Sequence, residues 1–180
     1  MRAHILNKLK DPSWINKKAD MVEKQVDATI NWINSIKKKP LSKYDLKELS
    51  RISEEFFQRN IEIGPSFIIM LWFPIQMENR TEQKQAVDRA IVARTAIEKI
   101  GPLSDSFATE LAEEMARRAG IDKKLARFIS YTELLAYFKS NKIVKVTVLK
   151  NRQNYYIVCN EGILSMLVEK YLQNKGFLLE

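Results

Sequence analysis

The sequence predicts a mainly α-helical protein, a helical bundle of about six helices with one C-terminal β-hairpin. Three observations predict it. Apolar residues recur three and four apart through most of the stretch from Ala19 to Phe138, the spacing of helices with one buried face. From Ile143 to Leu149 (IVKVTVL) the period changes to two, and Tyr155–Cys159 (YYIVC) answers it across Asn151-Arg152-Gln153-Asn154, the pattern of strand, turn and strand. Finally, 180 residues contain only five Gly and five Pro and no low-complexity linker, so one continuous domain over 1–180 is expected. Its helical part covers about 19–140, the hairpin about 143–160 and a terminal helix about 162–174.

Taken in order, Val22, Val26, Ile30, Ile33 and Ile36 form one face of a first helix from Ala19 to Ile36, which Lys37–Pro40 ends because the residue before a proline avoids the helical region. Ser42, with Asp45 three residues on, reads as a capping box for a second helix whose inner face is Leu46, Leu49, Ile52, Phe56 and Phe57. Gly64-Pro65 reads as a break and restart. Phe67–Met77 is apolar nearly all round, as in a helix buried on several sides, with Trp72 and Phe73 as core anchors. Thr81 opens a helix with Val87, Ile91, Arg94 and Ile97 aligned, and Gly101-Pro102 stops it. Another helix runs from Ser104 to Gly120, a residue suited to the left-handed end of a helix, with Leu111 and Met115 inward. Ser130-Tyr131-Thr132-Glu133 is a second capping box, for a helix from Tyr131 to Lys139. After the hairpin, Gly162–Gln173 reads as a helix with Ile163, Leu167 and Tyr171 inward, and Phe177–Leu179 leaves as an apolar extended exit. Such an exit fits a chain that continues into, or docks on, another domain.

Composition narrows the function classes. Cys159 is alone, so no intramolecular disulfide can form, and a reducing cytoplasm is expected. The N-terminal MRAHILNKLKDPSW has no apolar run behind its basic residues, so no signal peptide is read. The longest apolar stretch, Phe67–Ile75, is well short of the ~20 residues that span a bilayer, and no membrane span is expected. The net charge of +8 arises from 30 Lys and Arg against 22 Asp and Glu, and mixing of the two signs reads as a solvated surface more than as a nucleic-acid footprint. Arg117, Arg118, Lys123, Lys124 and Arg127 make the densest basic run, interrupted by Gly120. It reads as a basic connector rather than a helix-turn-helix, since little in it would reach base edges.

No catalytic constellation is visible. His4 is the sole histidine and has no second metal-type ligand beside it, which leaves neither a metal site nor Ser-His or Cys-His chemistry. No glycine loop of the phosphate-cradling kind occurs. Glu110, Glu113 and Glu114 precede Arg117 and Arg118, and Glu54-Glu55 precedes Arg59, at spacings of exposed helical ion pairs. The expectation is therefore that this chain carries no catalytic, cofactor-binding or metal-binding residue.

A row of segments carries a family resemblance. Arg94–Phe107 (RTAIEKIGPLSDSF) and Leu111–Gly120 (LAEEMARRAG) look like long helices, Ser130–Phe138 (SYTELLAYF) like a Thr-Glu-Glu-Leu helix, and Leu149–Gly162 (LKNRQNYYIVCNEG) like an arginine–tyrosine hairpin with Arg152 and Tyr155 or Tyr156 in place. In this order they resemble the central helical region of the phosphoenolpyruvate synthase and pyruvate phosphate dikinase-like enzymes, which joins an ATP-grasp domain to a swivelling phosphohistidine domain. About half of the chain is covered. The family's glycine-rich Ser-His-Ala segment, its nucleotide-binding arginines and its acidic magnesium ligands have no counterpart here. The resemblance implies a non-catalytic connector in a phosphotransferase of kinase or dikinase type, with ATP and magnesium belonging only to a parent enzyme and neighbouring catalytic domains as partners. Arg152, Tyr155, Tyr156, Arg117, Arg118 and Arg127 are the candidates for contact with those domains. The alternative is a free-standing basic helical binding module for nucleic acid or an acidic protein; a small enzyme with a pocket beside Phe67–Met77 is a third reading.

Overall fold

The computed structural model describes residues 11–77, 84–152 and the backbone of two short strands, 155–160 and 163–168. The chain is mainly helical. Helix α1 is Pro12–Ile36, α2 Leu46–Met77, α3 Lys84–Ala119, α4 Tyr131–Ser140 and α5 Val146–Arg152, with 3-10 turns at Leu41–Lys43 and Lys123–Phe128. It divides into two compact units, Met1–Glu110 and Leu111–Glu180. No helix among the described residues is long and apolar enough to cross a membrane. His4, Thr81, Gln153, Asn154, Tyr171 and Phe177–Leu179 lie outside the described residues, and of Trp72 only the backbone is described.

Helix α1 begins seven residues before the predicted Ala19, at Pro12, with the Asp11 carboxylate accepting from the Ser13 N–H. Asp-Pro-Ser is a legible helix start, since proline at the first position gives up an N–H that has no helical partner. The second helix is capped one motif later than predicted: Asp45 and Glu48 exchange side-chain-to-backbone bonds of 2.7 and 2.8 Å, while Ser42 sits in the 3-10 turn before them.

Neither Gly64-Pro65 nor Gly101-Pro102 breaks its helix; α2 and α3 run through both. A proline removes one N–H bond to the carbonyl four residues earlier, here of Ile61 and Glu98. Both residues stand at the surface, 47% exposed at Ile61, where water can serve the orphaned oxygen.

The core of the first unit joins Ile15, Ala19, Val22 and Val26 of α1, Ile63, Met70 and Phe73 of α2, and Ala86, Ala90, Ala93, Ile97 and Ile100 of α3. The inner face of α3 is thus largely alanine, displaced from the Val87–Ile91–Arg94 line expected; Ile91 is 45% exposed. Small residues let helices approach closely, which a search for large apolar side chains overlooks. Towards the other end Phe107 meets Trp32 and Phe56 edge-to-face, with centroids 5.9 and 5.2 Å apart. Phe57 is on the exposed side, contrary to expectation, as are Ile68 and Ile75 of the segment expected to be buried all round. Arg89 of α3 holds Asp20 and Glu23 of α1, and Lys37 holds Glu110. These pairs, low and high on both helices, show that α1 and α3 run parallel.

In the second unit Gly120 ends α3 with φ +66°, and the Ile121 N–H bonds to the Ala116 carbonyl. Its larger buried apolar side chains are Leu111, Met115, Ile121, Leu125, Leu134, Tyr137, Phe138 and Leu149. The expected strand Ile143–Leu149 is not formed, because Val146–Arg152 is helical. Valine and threonine favour a strand locally, yet the tertiary contacts of Leu149 and Arg152, three residues apart on one helical face, override that preference. The Tyr155–Asn160 backbone is instead registered antiparallel with Ile163–Val168, inside the stretch expected as a terminal helix. Short apolar runs do not separate the two states by pattern alone.

The glycines predict different responses. Gly101 is in a helix interior with open space around its Cβ position, but it precedes Pro102, whose ring disfavours the helical region for a residue that carries a Cβ. The usual gain from Gly→Ala is thereby offset, and Gly101→Ala should change stability by less than about 0.5 kcal/mol. Gly120→Ala must hold a positive φ and should lower stability by about 1 kcal/mol. Urea unfolding of both variants checks the difference.

Candidate functional site

The second unit concentrates both the charge of the protein and the residues singled out by sequence. Between residues 11 and 110 acidic and basic residues are equal in number, whereas 111–152 hold ten cations (Arg117, Arg118, Lys123, Lys124, Arg127, Lys139, Lys142, Lys145, Lys150, Arg152) against four carboxylates (Glu113, Glu114, Asp122, Glu133), a net +6.

Each carboxylate has a task. Glu113 pairs with Lys123 at 3.0 Å. Glu114 is nearly buried, 8% exposed, and takes Arg117 from three residues on and Arg118 from four. The Arg117 hydrogen bond and then Arg118 hold the Glu114 carboxyl below the usual carboxylate range, against the opposing cost of burial. Asp122 caps the 3-10 turn by accepting from the Lys124 N–H.

Glu133 does the most. At the third position of α4 it completes the capping box read from the sequence: its Oε2 accepts from the Ser130 N–H at 2.9 Å and from the Ser130 hydroxyl at 2.8 Å, while its own N–H donates to that hydroxyl. The same carboxylate receives the Arg152 guanidinium fork, Nη1 to Oε2 at 2.7 Å and Nη2 to Oε1 at 2.8 Å. Nη1 donates also to the Phe128 carbonyl at 2.7 Å, so one side chain closes the end of α5 onto the 3-10 turn and the start of α4. Arg152 foremost, with the Ser130 bonds, pulls the Glu133 pKa down to about 2 despite partial burial.

The six candidate contact residues are thereby placed. Arg117 and Arg118 bind Glu114, and Arg152 binds Glu133, all within the unit. Arg127 is exposed, its guanidinium 4.8 Å from the Phe128 ring. Tyr155 and Tyr156 are in the first strand, with only their backbone described. Lys142, Lys145 and Lys150 were not singled out from the sequence, and Lys124 was noted only as part of the basic run. All four are exposed and have no acidic partner among the described residues. The signal that could have marked them is the scarcity of acids after Asp122, where Glu133 alone faces Lys139 through Arg152. Among the described residues no three His, Cys, Asp or Glu side chains converge as metal ligands would.

Comparison with protein-family models, curated proteins and solved structures finds no match to this chain.

The clamp carries a pH signature. Glu133 has a folded pKa near 2, below its unfolded value of about 4.5, so its stabilisation is complete above pH 4.5 and is lost as pH falls towards 2. Water still reaches both partners, with 23% and 30% exposure, so about 1–2 kcal/mol is expected rather than the full linkage value. Urea unfolding should show Glu133→Gln less stable than the parent by that amount at pH 7, with most of the deficit gone at about pH 2.5. A deficit that does not change with pH would mean that Glu133 is not held as a carboxylate.

Proposed function

We propose that this protein is a non-catalytic, basic helical binding module whose 111–152 segment docks on nucleic acid. The observation that carries the reading is the +6 charge of that segment with its carboxylates engaged internally, which leaves Lys124, Lys142, Lys145 and Lys150 directed to solvent. Such a surface binds phosphates through counterion release, largely without regard to sequence. The stretch 141–145 has no regular structure and holds Lys142 and Lys145, while Lys150 is on the following helix. Cations on an irregular segment and a helix can follow a backbone rather than read a base edge.

A second reading keeps the connector role. Its support is one contact: Glu133 belongs to the segment that looks like the Thr-Glu-Glu-Leu helix, Arg152 to the segment that looks like the arginine–tyrosine hairpin, and they meet in a bidentate pair. A spacer between catalytic domains needs this kind of bracing. The paired strands Tyr155–Asn160 and Ile163–Val168 would then be the docking element, with Tyr155 and Tyr156 at its start.

Fluorescence anisotropy of the full chain with labelled duplex and single-stranded oligonucleotides separates the readings. About three phosphate contacts would give a slope near −3 for log affinity against log salt. Combined Lys142→Glu, Lys145→Glu and Lys150→Glu should weaken binding by at least roughly tenfold with an unchanged helical circular dichroism spectrum. Binding without salt dependence, or unaffected by the triple change, rejects the proposal. Equal competition by polyglutamate would move the partner to an acidic protein.

A further inference from the structure

The first unit has a groove of about 410 Å³ between α1 and α3, with Val26, Ile30, Ile91, Val92 and Ala96 along its floor and walls. Ile91 and Val92 remain 45% and 50% exposed. Asp27 is on one lip and Lys99 on the other. Both are exposed, and neither has an ion-pair partner among the described residues.

The parallel course of α1 and α3 gives the groove a register. Arg89 reaches Asp20, 69 positions earlier, and Lys37 reaches Glu110, 73 positions later. A residue of α1 is therefore level with the residue of α3 about 70 positions on. By that measure Asp27 is level with Lys99.

We infer that this face pairs with the same face of a second copy of the chain. A twofold axis along the groove lays α1 of each copy over α3 of the other and keeps every height. It sets Asp27 against Lys99 twice and covers Ile91 and Val92 of each copy. An isologous contact requires this self-complementarity, in which each residue meets its counterpart's partner. The charge of the unit suits it too, because equal numbers of acids and bases over 11–110 leave no net repulsion between copies. The partner is a second copy rather than a foreign basic or acidic helix because the lips carry opposite signs at one height. A partner helix of single charge would satisfy one lip and be repelled by the other.

Sedimentation velocity of the full chain from about 1 to 200 μM, the range of micromolar affinity, tests the pairing. The wild type is expected to dimerise, and Asp27→Lys or Lys99→Asp alone should weaken the dimer by roughly tenfold or more. Combining the two reversals restores the pair with its polarity exchanged and should return the dimer to within about threefold of wild type. Val92→Lys, which sets a charge into the apolar middle, should leave monomer. A wild-type monomer throughout overturns the inference, as does a dimer that single reversals leave intact or that the double reversal fails to restore. Since the groove belongs to the first unit, this outcome is independent of oligonucleotide binding by 111–152.

Discussion

Four carboxylates stand among ten cations between Leu111 and Arg152, and how they are used decides the form of the second unit. Two of them act locally: Glu113 and Glu114 tie the end of α3 to cations three to ten residues away. Glu133 acts at a distance. It satisfies the open N-terminus of α4 and, with its remaining lone pairs, accepts the guanidinium of Arg152. That fork is available only if Arg152 approaches from the end of a helix whose Leu149 is already buried. One carboxylate thus converts a β-branched segment into helix α5. The energy involved is small beside that of the core, yet α5 is only 7 residues long, below the length at which helices persist unaided.

The sequence made plain whatever local pattern decides. The helical class, the end of α1 before Pro40, the left-handed stop at Gly120 and the Ser130–Glu133 capping box were all legible, because each rests on residues within one turn of one another. What misled was information that arrives from elsewhere in the chain. Gly64-Pro65 and Gly101-Pro102 are strong break signals, but a helix held on its inner side by Ile63, Met70, Ile100 and Phe107 keeps its course when the lost bond is on the wet side. The inner face of α3 was invisible because alanine contributes little to an apolar stripe and much to close approach. The strand expected at Ile143–Leu149 gives way to a helix that ends in the Glu133–Arg152 contact, a pairing across 19 residues that no periodicity reports.

The candidate site was legible only in part. Arg152, Arg117 and Arg118 attracted notice as exposed basic residues, and the structure assigns them to internal bracing, with Arg118 only 18% exposed. The exposed cations without an acidic partner among the described residues are Lys124, from the basic run, and ordinary lysines in 141–150, unremarkable in a lysine-rich sequence. Arginine was the natural residue for the bracing, because its planar fork matches a carboxylate with two parallel bonds, whereas the ammonium of lysine is a strongly hydrated point charge on a flexible stem. That chemistry suits Arg118 and Arg152 to the bracing, while the lysines of 141–150 stay at the surface.

The distribution of charge argues that the two units have different partners. Over 11–110 the signs cancel, and the longest-range ion pairs there, Arg89 to Asp20 and Glu23 and Lys37 to Glu110, join helices of the same unit. A surface of this kind neither attracts nor repels polyelectrolytes and is free to associate through shape and apolar area. Over 111–152 the uncompensated charge would oppose self-association by the same physics that favours a polyanion. A homodimer would therefore form through the neutral unit, and doubling the chain would double the cationic segments offered to one strand. Two modest electrostatic contacts on a common scaffold bind far more tightly than either alone when their spacing matches the target.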